Sequence, residues 1–494
     1  MKKKSFIIQN LVLTLSLGFF FSCNENELPT EVTNNETVGS KISMTQAEAI
    51  SIAYDGNNEL SEDEISAYVK DFSPNTDTQT RSLSVITNIE VSKKYYVGDN
   101  AATRTSGNLS IPFYEVKFQN NGTEGQAIVS GDKRAPGIIA YIEKNAPESN
   151  VNTGKQYMLE VAQQSTISEV RNVIHIQDSL RERTINKIAL ELGIPKNEVN
   201  FEKIKNNINI TDQAITRSPA YNRPLSAIEA SSGPFIAVKW GQRTPYNMLL
   251  PFCSEEYTHY VSDRDGNLTI TQEYWKRNRP AGCGVIAIAE ALTYLKPNLT
   301  INGMSMNWNL LTQDSSLTYS PWESQPDKSQ YPQAYMAATL VKYIYEQAHA
   351  TSEYGYKNPN YKSESSDPVV LSTSISKSNF KTFMQTVSTL NEYNRWAPDE
   401  ILAGVMNNFI SIVMGYPKGD PSRSHAWIID GYAQCAKTTR TIIKKNDLYF
   451  HTSMGWNGEN DGYYKFNSNG TIDFETSSGI YNSNFIVFAN IRKK

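Results

Sequence analysis

A cysteine and a histidine in the second half of the sequence have the surroundings expected of a nucleophile and its general base. Cys283 follows Gly282 and opens a stretch in which apolar residues recur at positions 285, 288, 292 and 295, a spacing that predicts one face of a helix. Cys283 would then lie in the first helical turn, where unpaired N–H groups and the helix dipole lower the pKa of a thiol. The alternative for this segment is a small buried residue that packs a helix start.

The histidine is His425, which stands between a polar run at 421–424 and an apolar run at 426–429. These runs predict a strand that begins at the edge of a loop, which gives a general base rigid support and an open face. A lone histidine is more often structural, but this position sets His425 apart from the other four histidines. Its distance from Cys283 falls within the roughly 130–150 residues that separate the same pair in papain-type thiol proteases. The pair therefore predicts covalent hydrolysis by an activated thiolate.

Two further segments could complete such a site. Gln242 lies upstream of the cysteine, where papain-like enzymes carry a glutamine whose amide stabilises the oxyanion together with the N–H of the cysteine. The alternative is an ordinary polar loop residue. Residues 450–464 read as a strand, a glycine-rich turn with Trp456, and a second strand. This segment could form a wall that orients and shields His425, or it could be a β-hairpin with a packed aromatic residue.

These residues must be positioned by the elements around them, which divide into two regions. The first region begins near Ser43, and Met44–Ala53 has a Ser/Thr start followed by helical spacing. Strand-like runs follow at 95–97, 111–118 and 126–130, and a turn at 131–137 leads into another strand. Residues 153–208 read as helical. Residues 209–232 lose this periodicity and form the candidate linker, in which Arg217 is a natural processing site.

The second region runs from about 233 to 494 and contains all seven tryptophans, so it should hold the larger core. Its first half mixes helices with loops. Its second half has strand-like runs separated by Gly, Asn and Asp turns, at 409–416, 426–432, 448–452, 462–466 and 484–489. This pattern favours an antiparallel sheet.

The N-terminus has the pattern of a targeting segment. Three lysines at positions 2–4 precede an apolar core from Leu11 to Phe21, which is about the length of a signal-peptide h-region. Cys23 follows directly after Ser22 and precedes a polar run. The arrangement resembles a bacterial lipobox and predicts export with lipid attached to Cys23. The alternative is an ordinary signal peptide with an incidental cysteine.

Composition excludes several other classes. The net charge of −4 provides no basic field for nucleic acid, and no P-loop, paired CxxC or HExxH motif occurs. No metal or cofactor is therefore expected. Residues 263–267 could hold calcium, but a hairpin turn is favoured. Cys253 and Cys435 could pair in an exported protein, although two separate buried thiols are favoured because nothing places them within disulfide reach.

Taken in order, these segments resemble the streptopain family of bacterial cysteine peptidases. The matching stretches are Trp240-Gly241-Gln242, Pro245-Tyr246-Asn247, Gly282-Cys283, Met306-Asn307-Trp308-Asn309, His425-Ala426, Asp430-Gly431, His451, Gly455-Trp456 and Asp461-Gly462-Tyr463-Tyr464. The first region is similar to that family's inhibitory prodomain at Met44–Ala53 and Gln126–Tyr141. One departure concerns the last segment, where Ser453 and Met454 replace an asparagine and a tryptophan. Ser453 can accept a hydrogen bond but reaches less far than the asparagine that would orient the histidine.

The resemblance implies an α+β protein, with a papain-like catalytic domain preceded by an α+β prodomain. The expected division is a signal peptide at 1–22, a tether at 23–43, an inhibitory prodomain at 44–217 and a peptidase domain at 218–494. Cys283, His425 and Gln242 would be the catalytic residues, and Gly282, Ser424, Ser453 and Trp456 would line the site. The expected function is an exported cysteine endopeptidase made as a latent zymogen. It would act on protein or peptide substrates at the cell envelope or cell surface, with its own prodomain as inhibitor and the membrane bound through Cys23. The mature part could also be released. The alternative is a catalytically impaired surface-binding lipoprotein on the same scaffold.

Overall fold

The computed structural model describes residues 41–72, 86–98, 109–145, 153–211, 227–262, 268–317, 330–360, 362–363, 366–415, 424–436, 446–466 and 485–494. The predicted signal peptide, Cys23, Arg217 and the turn at 263–267 lie outside these ranges. Within the ranges, no helix combines the length and the hydropathy that crossing a bilayer requires.

The elements before residue 212 combine helices with a four-stranded antiparallel portion of sheet and, separately, a parallel pair formed by the first and last strands. The strands are β1 Ile42–Met44, β2 Ile86–Gly98, β3 Ser110–Asn120, β4 Thr123–Ser130, β5 Gly137–Ile142 and β6 Ile208–Ile210. The helices are α1 Gln46–Ala53, α2 Glu62–Asp71, α3 Thr153–Leu192 and α4 Phe201–Ile204. Helix α1 confirms the predicted start, because Thr45 and Glu48 cap each other's backbone N–H groups at 3.1 and 2.8 Å.

The described elements after residue 226 combine helices with strands that lie in three sheets. The strands are β7 Ile228–Ser232, β8 Phe252–Ser262, β9 Leu268–Asn278, β10 Thr300–Ile301, β11 Met304–Ser305, β12 Thr351–Gly355, β13 Lys362–Ser363, β14 Val369–Ser374, β15 Ser388–Tyr393, β16 Ile410–Gly415, β17 His425–Ala436, β18 Asn446–Ser453, β19 Gly462–Phe466 and β20 Ile486–Lys493. The helices are α5 Cys283–Leu295, α6 Trp308–Leu311, α7 Pro332–Gln347, α8 Lys377–Val387 and α9 Pro398–Met406. The α+β class predicted from the sequence is confirmed.

One sheet of eleven strands includes both regions. Its order is β15-β20-β16-β17-β18-β19-β5-β4-β3-β2, and β7 pairs with β17 to one side. The two regions join where β5 of the first pairs antiparallel with β19 of the second. Residues on either side of the predicted linker therefore contribute to one sheet, and Ile42–Lys494 forms one compact unit.

A second sheet has the order β12-β14-β8-β9-β13. Its centre is the hairpin of β8 and β9, which stay in register from Phe252↔Asn278 to Ser262↔Leu268. This pairing agrees with the hairpin predicted around residues 263–267.

The buried side chains form two large cores on the two faces of the joint sheet. One core surrounds α5 and includes Val285 and Leu292 together with residues of α7, α8 and β16. The other includes Ile139 and Met158 from the first region together with Trp427 and Met454 from the second. The two regions therefore share apolar side chains as well as backbone pairing.

Candidate active site

Helix α5 begins at Cys283, as the apolar spacing predicts, and a glycine makes this start possible. Gly282 is the N-cap with φ +89°, a conformation that L side chains rarely adopt. A Cβ at this position would lie 2.5 Å from the carbonyl oxygen of Thr373 in β14. The glycine therefore lets the chain turn into the helix directly against the neighbouring strand, and this turn fixes where the thiol lies.

Gly282→Ala is expected to destabilise the protein by about 1–3 kcal/mol from backbone strain, with a further cost from the contact with Thr373. Any activity that depends on the Cys283 thiol should fall with it, because Cys283 would move. Gly303→Ala is the matched control: Gly303 also has positive φ, at +78°, but open space where a Cβ would stand. Urea unfolding of the two variants compares them, and an equal change in both midpoints would show that the contact with Thr373 has no effect.

The sulfur of Cys283 lies next to the strand that carries the predicted base, His425. It contacts the backbone of Ala426, which follows His425 at the start of β17, and the backbone of Gly284. Burial raises the pKa of the Cys283 thiol above its ordinary value and outweighs these contacts, which act in the opposite direction. The helix start alone predicts a lowered pKa for this thiol. The structure instead indicates a raised pKa, because protein atoms surround the thiol.

His425 is the first residue of β17 and is buried. Its Nε2 lies 3.0 Å from the carbonyl oxygen of Met454. A carbonyl oxygen can only accept, so Nε2 carries the proton and donates it, and Nδ1 of the neutral ring is left with its lone pair. Burial lowers the pKa of His425 to about 4, and the contact with Met454 only partly opposes this. Both the Cys283 thiol and the His425 imidazole are therefore uncharged near neutral pH.

Aromatic rings enclose the imidazole from two sides. The Trp456 ring stands edge-on to His425 with centroids 6.0 Å apart, and the Trp427 ring stacks against it at 6.2 Å. Trp456 is partly exposed and Ser424, next to His425, is exposed. The fold thus brings the Trp456 ring to His425, and Ser424 lies beside His425 because it precedes it in the chain.

Ser453 does not reach the histidine. Its Oγ donates to Glu290 Oε2 at 3.0 Å, and the contact with His425 comes from the next residue, Met454. The Met454 N–H in turn donates to Asp461 Oδ1 at 2.7 Å, so the backbone here is held from both sides. A backbone carbonyl leaves no trace in a sequence, which is why sequence reasoning missed this partner.

Gln242 is brought near the cysteine by its backbone. Its carbonyl oxygen accepts from the N–H of Ala281 at 3.0 Å, which places it next to the turn that precedes Cys283. The Gln242 side chain is half-buried. This arrangement agrees with a glutamine at the edge of the site.

A buried network of charges lies behind His425 and connects the two regions. His451 Nδ1 lies 2.6 Å from Asp430 Oδ1, and Asp430 Oδ2 accepts from the Ile236 N–H at 2.8 Å. Glu143, from the first region, lies 3.1 Å from Lys239 Nζ and 3.7 Å from His451 Nε2.

The opposite charges of this network stabilise each other's ionised forms. Burial alone would raise the pKa of Glu143, but Lys239 and His451 outweigh it and hold that pKa at about 2. Burial alone would lower the pKa of His451, but Asp430 and Glu143 raise it to about 10. Glu143 is therefore a carboxylate and His451 a cation near neutral pH.

The sequence also raised the questions of a disulfide between Cys253 and Cys435 and of a metal site. Cys253 and Cys435 are buried, and neither forms a disulfide bond. Across the described ranges, no group of three or more His, Cys, Asp or Glu side chains could hold a metal ion.

Comparison with known proteins agrees with this geometry. Residues 240–464 match the Peptidase C10 family, and this segment contains Gln242, Cys283, His425 and Trp456. No significant match was found among curated proteins or among solved structures. This match confirms the resemblance seen in the sequence to the streptopain family, a family of papain-like cysteine peptidases.

Proposed function

We propose that the chain is the latent precursor of an exported cysteine endopeptidase, with Cys283 as nucleophile and His425 as base. The observation that carries the proposal is the geometry of His425. Its Nε2 is held by the Met454 carbonyl while the Cys283 sulfur contacts the adjacent Ala426. This arrangement leaves Nδ1 able to take the thiol proton.

The reaction then follows from the residues in place. His425 Nδ1 takes the proton of Cys283, and the thiolate attacks the carbonyl carbon of the scissile peptide bond. The Gln242 side-chain amide and the Cys283 N–H stabilise the oxyanion. The imidazolium protonates the leaving amine, and water activated by the neutral imidazole hydrolyses the thioester.

The first region supports the proposal of latency because it contacts the segment that carries Trp456. The N–H groups of Glu143 and Asn460 bond across to Asp461 and Lys144, and Lys144 Nζ reaches the carbonyl of Asn457. The neutral, high-pKa thiol in the full chain is also the less reactive form. We therefore assign residues 44–217 as an inhibitory prodomain and the segment from Lys205 to Arg217 as the processing region.

Export and attachment rest on the N-terminal pattern. The three lysines, the apolar core and Cys23 support a signal peptide with lipid on Cys23, which would hold the protein at the cell envelope or surface. Protein or peptide substrates and the prodomain itself are then the partners, and the mature part could be released after processing.

The full chain is expected to hydrolyse casein poorly and to gain activity when cut near residue 217. Trypsin can make the cut, after which a serine-protease inhibitor blocks the trypsin and the sample is diluted before assay. A thiol-reactive epoxide should stop the activity gained. Iodoacetamide should alkylate Cys283 faster at pH 7 after the cut, because the thiol pKa falls as the site opens.

Two outcomes would contradict the proposal. Activity that survives the epoxide would remove the cysteine mechanism. A processed chain that stays inactive would favour the alternative of an impaired surface-binding lipoprotein, which the changes at Ser453 and Met454 first suggested.

A further inference from the structure

The helix that carries Cys283 also carries one buried acid. Glu290 lies about two turns after Cys283, on the same face of α5, among apolar neighbours of the core. None of its side chain is exposed to solvent. A buried acid in an apolar helix is costly unless its oxygens are bonded, so its partners indicate what it does.

Both carboxyl oxygens of Glu290 have a partner, and the partners come from different segments. Oε1 accepts from the backbone N–H of Trp240 at 2.8 Å. Oε2 accepts from Ser453 Oγ at 3.0 Å. Trp240 stands two residues before Gln242, and Ser453 stands directly before Met454, whose carbonyl holds His425.

We propose that Glu290 is a positioning residue of the peptidase site, because it ties the nucleophile helix to the segments that carry Gln242 and Met454. This inference rests on the proposed function. It also gives Ser453 a role: the serine does not orient His425 itself but connects the Met454 segment to α5. Asp461 fixes the same segment from the other side by accepting from the Met454 N–H.

The charge state of Glu290 determines which replacement is conservative. Burial raises its pKa well above the ordinary value, and the nearby Asp461 raises it further. A neutral carboxyl has one accepting oxygen and one group that can donate, as a carboxamide does. Glutamine can therefore accept from Trp240 and bond to Ser453, whereas leucine fills a similar volume and leaves both partners unpaired.

The test compares processed variants by turnover per active site, with sites counted by titration with the epoxide. Glu290→Leu is expected to lower kcat by about 10–100-fold with little change in KM, since small displacements of catalytic groups cost that much. Glu290→Gln should stay within about 3-fold of the unmodified protein. Thr293→Val is the matched control: Thr293 is buried on the same helix, and its hydroxyl donates to the Glu290 backbone carbonyl rather than to the Glu290 side chain.

Per-site turnover of Glu290→Leu equal to that of Thr293→Val would overturn the proposal, because a purely structural role lowers only the number of active sites. If Glu290→Leu does not fold, Ser453→Ala takes its place. This variant removes one of the two contacts and should lower kcat several-fold, and an unchanged kcat would overturn the proposal.

A readout that needs no substrate separates this inference from the proposed function. The pH dependence of Cys283 alkylation should shift in Glu290→Leu and stay unchanged in Glu290→Gln and Thr293→Val. A processed protein without casein hydrolysis would defeat the proposed function alone. Superimposable alkylation profiles of the unmodified protein and Glu290→Leu would defeat the positioning role, whatever the activity.

Discussion

Replacing Cys283 by alanine is expected to abolish casein hydrolysis by the processed protein, with a loss of roughly 10⁴-fold or more in kcat. The loss is this large because, in the proposed mechanism, the side chain forms the covalent intermediate. His425→Ala should approach the same residual rate, because nucleophile and base act as a unit. Initial rates on casein and on a fluorogenic peptide measure both effects.

Cys253→Ala is the matched control for this prediction. Cys253 is buried and its thiol pKa is also raised, mainly by burial, but it lies in β8. Its replacement should leave the rate per titrated site unchanged. Hydrolysis that persists in purified Cys283→Ala would mean that another group, or a contaminating protease, cuts the substrate.

Replacing Glu143 by alanine is expected to lower the free energy of unfolding of the full chain by about 3–5 kcal/mol. The carboxylate is buried and faces two cations, Lys239 and His451. Its removal would leave His451 buried with less compensation, whereas Lys239 is partly exposed. Urea unfolding in the Cys283→Ala background measures the loss without self-cleavage.

The effect of pH on this variant follows from the direction of the pKa changes. The pKa of Glu143 is lowered to about 2, so its stabilising effect is present above its ordinary pKa of about 4.5 and is lost as pH falls towards 2. The pKa of His451 is raised to about 10, so its effect is complete below about 6.5 and is lost as pH rises through 10. The difference between Glu143→Ala and the unmodified chain should therefore be largest near pH 5–6.5.

Glu202→Ala serves as the control for Glu143→Ala. Glu202 pairs with Lys205 in the same region, but its side chain is largely exposed, so solvent screens the pair and stability should change little. Equal unfolding midpoints for Glu143→Ala and the unmodified chain would show that the buried network does not hold the two regions together.

Much of the fold could be predicted because its signals are local. Apolar spacing predicted the helix at Cys283, and strands were observed where alternation and turn residues indicated them, as at Ala426 and Gly462. The joining of both regions in one sheet was not predictable. The pairing of β5 with β19 depends on backbone groups far apart in sequence. The composition of neither strand indicates which other strand it pairs with.

The residues of the candidate site likewise divide into those that the sequence could predict and those that it could not. Cys283, His425 and Trp456 could be identified because their residue types are chemically distinctive. The Met454 carbonyl could not, since every residue has one. Glu290 left a signal, a single acid within the apolar run of α5, but its partners Trp240 and Ser453 became visible only in three dimensions. Ser453 occupies a motif position that predicts a contact with His425, but its hydroxyl bonds to Glu290 instead.

The strand pairing between Ala140–Ile142 and Gly462–Tyr464 has a consequence for the kinetics of activation. Cutting the chain between residues 211 and 227 breaks none of these backbone bonds and neither contact of Glu143. Scission therefore changes only the effective concentration of the N-terminal fragment, from that of a tethered segment to that of a free solute. The cut precursor is then a bimolecular complex, and the fraction of dissociated enzyme depends on its total concentration. A crowded cell surface would keep the cut pair together, whereas diffusion into the surroundings would separate it.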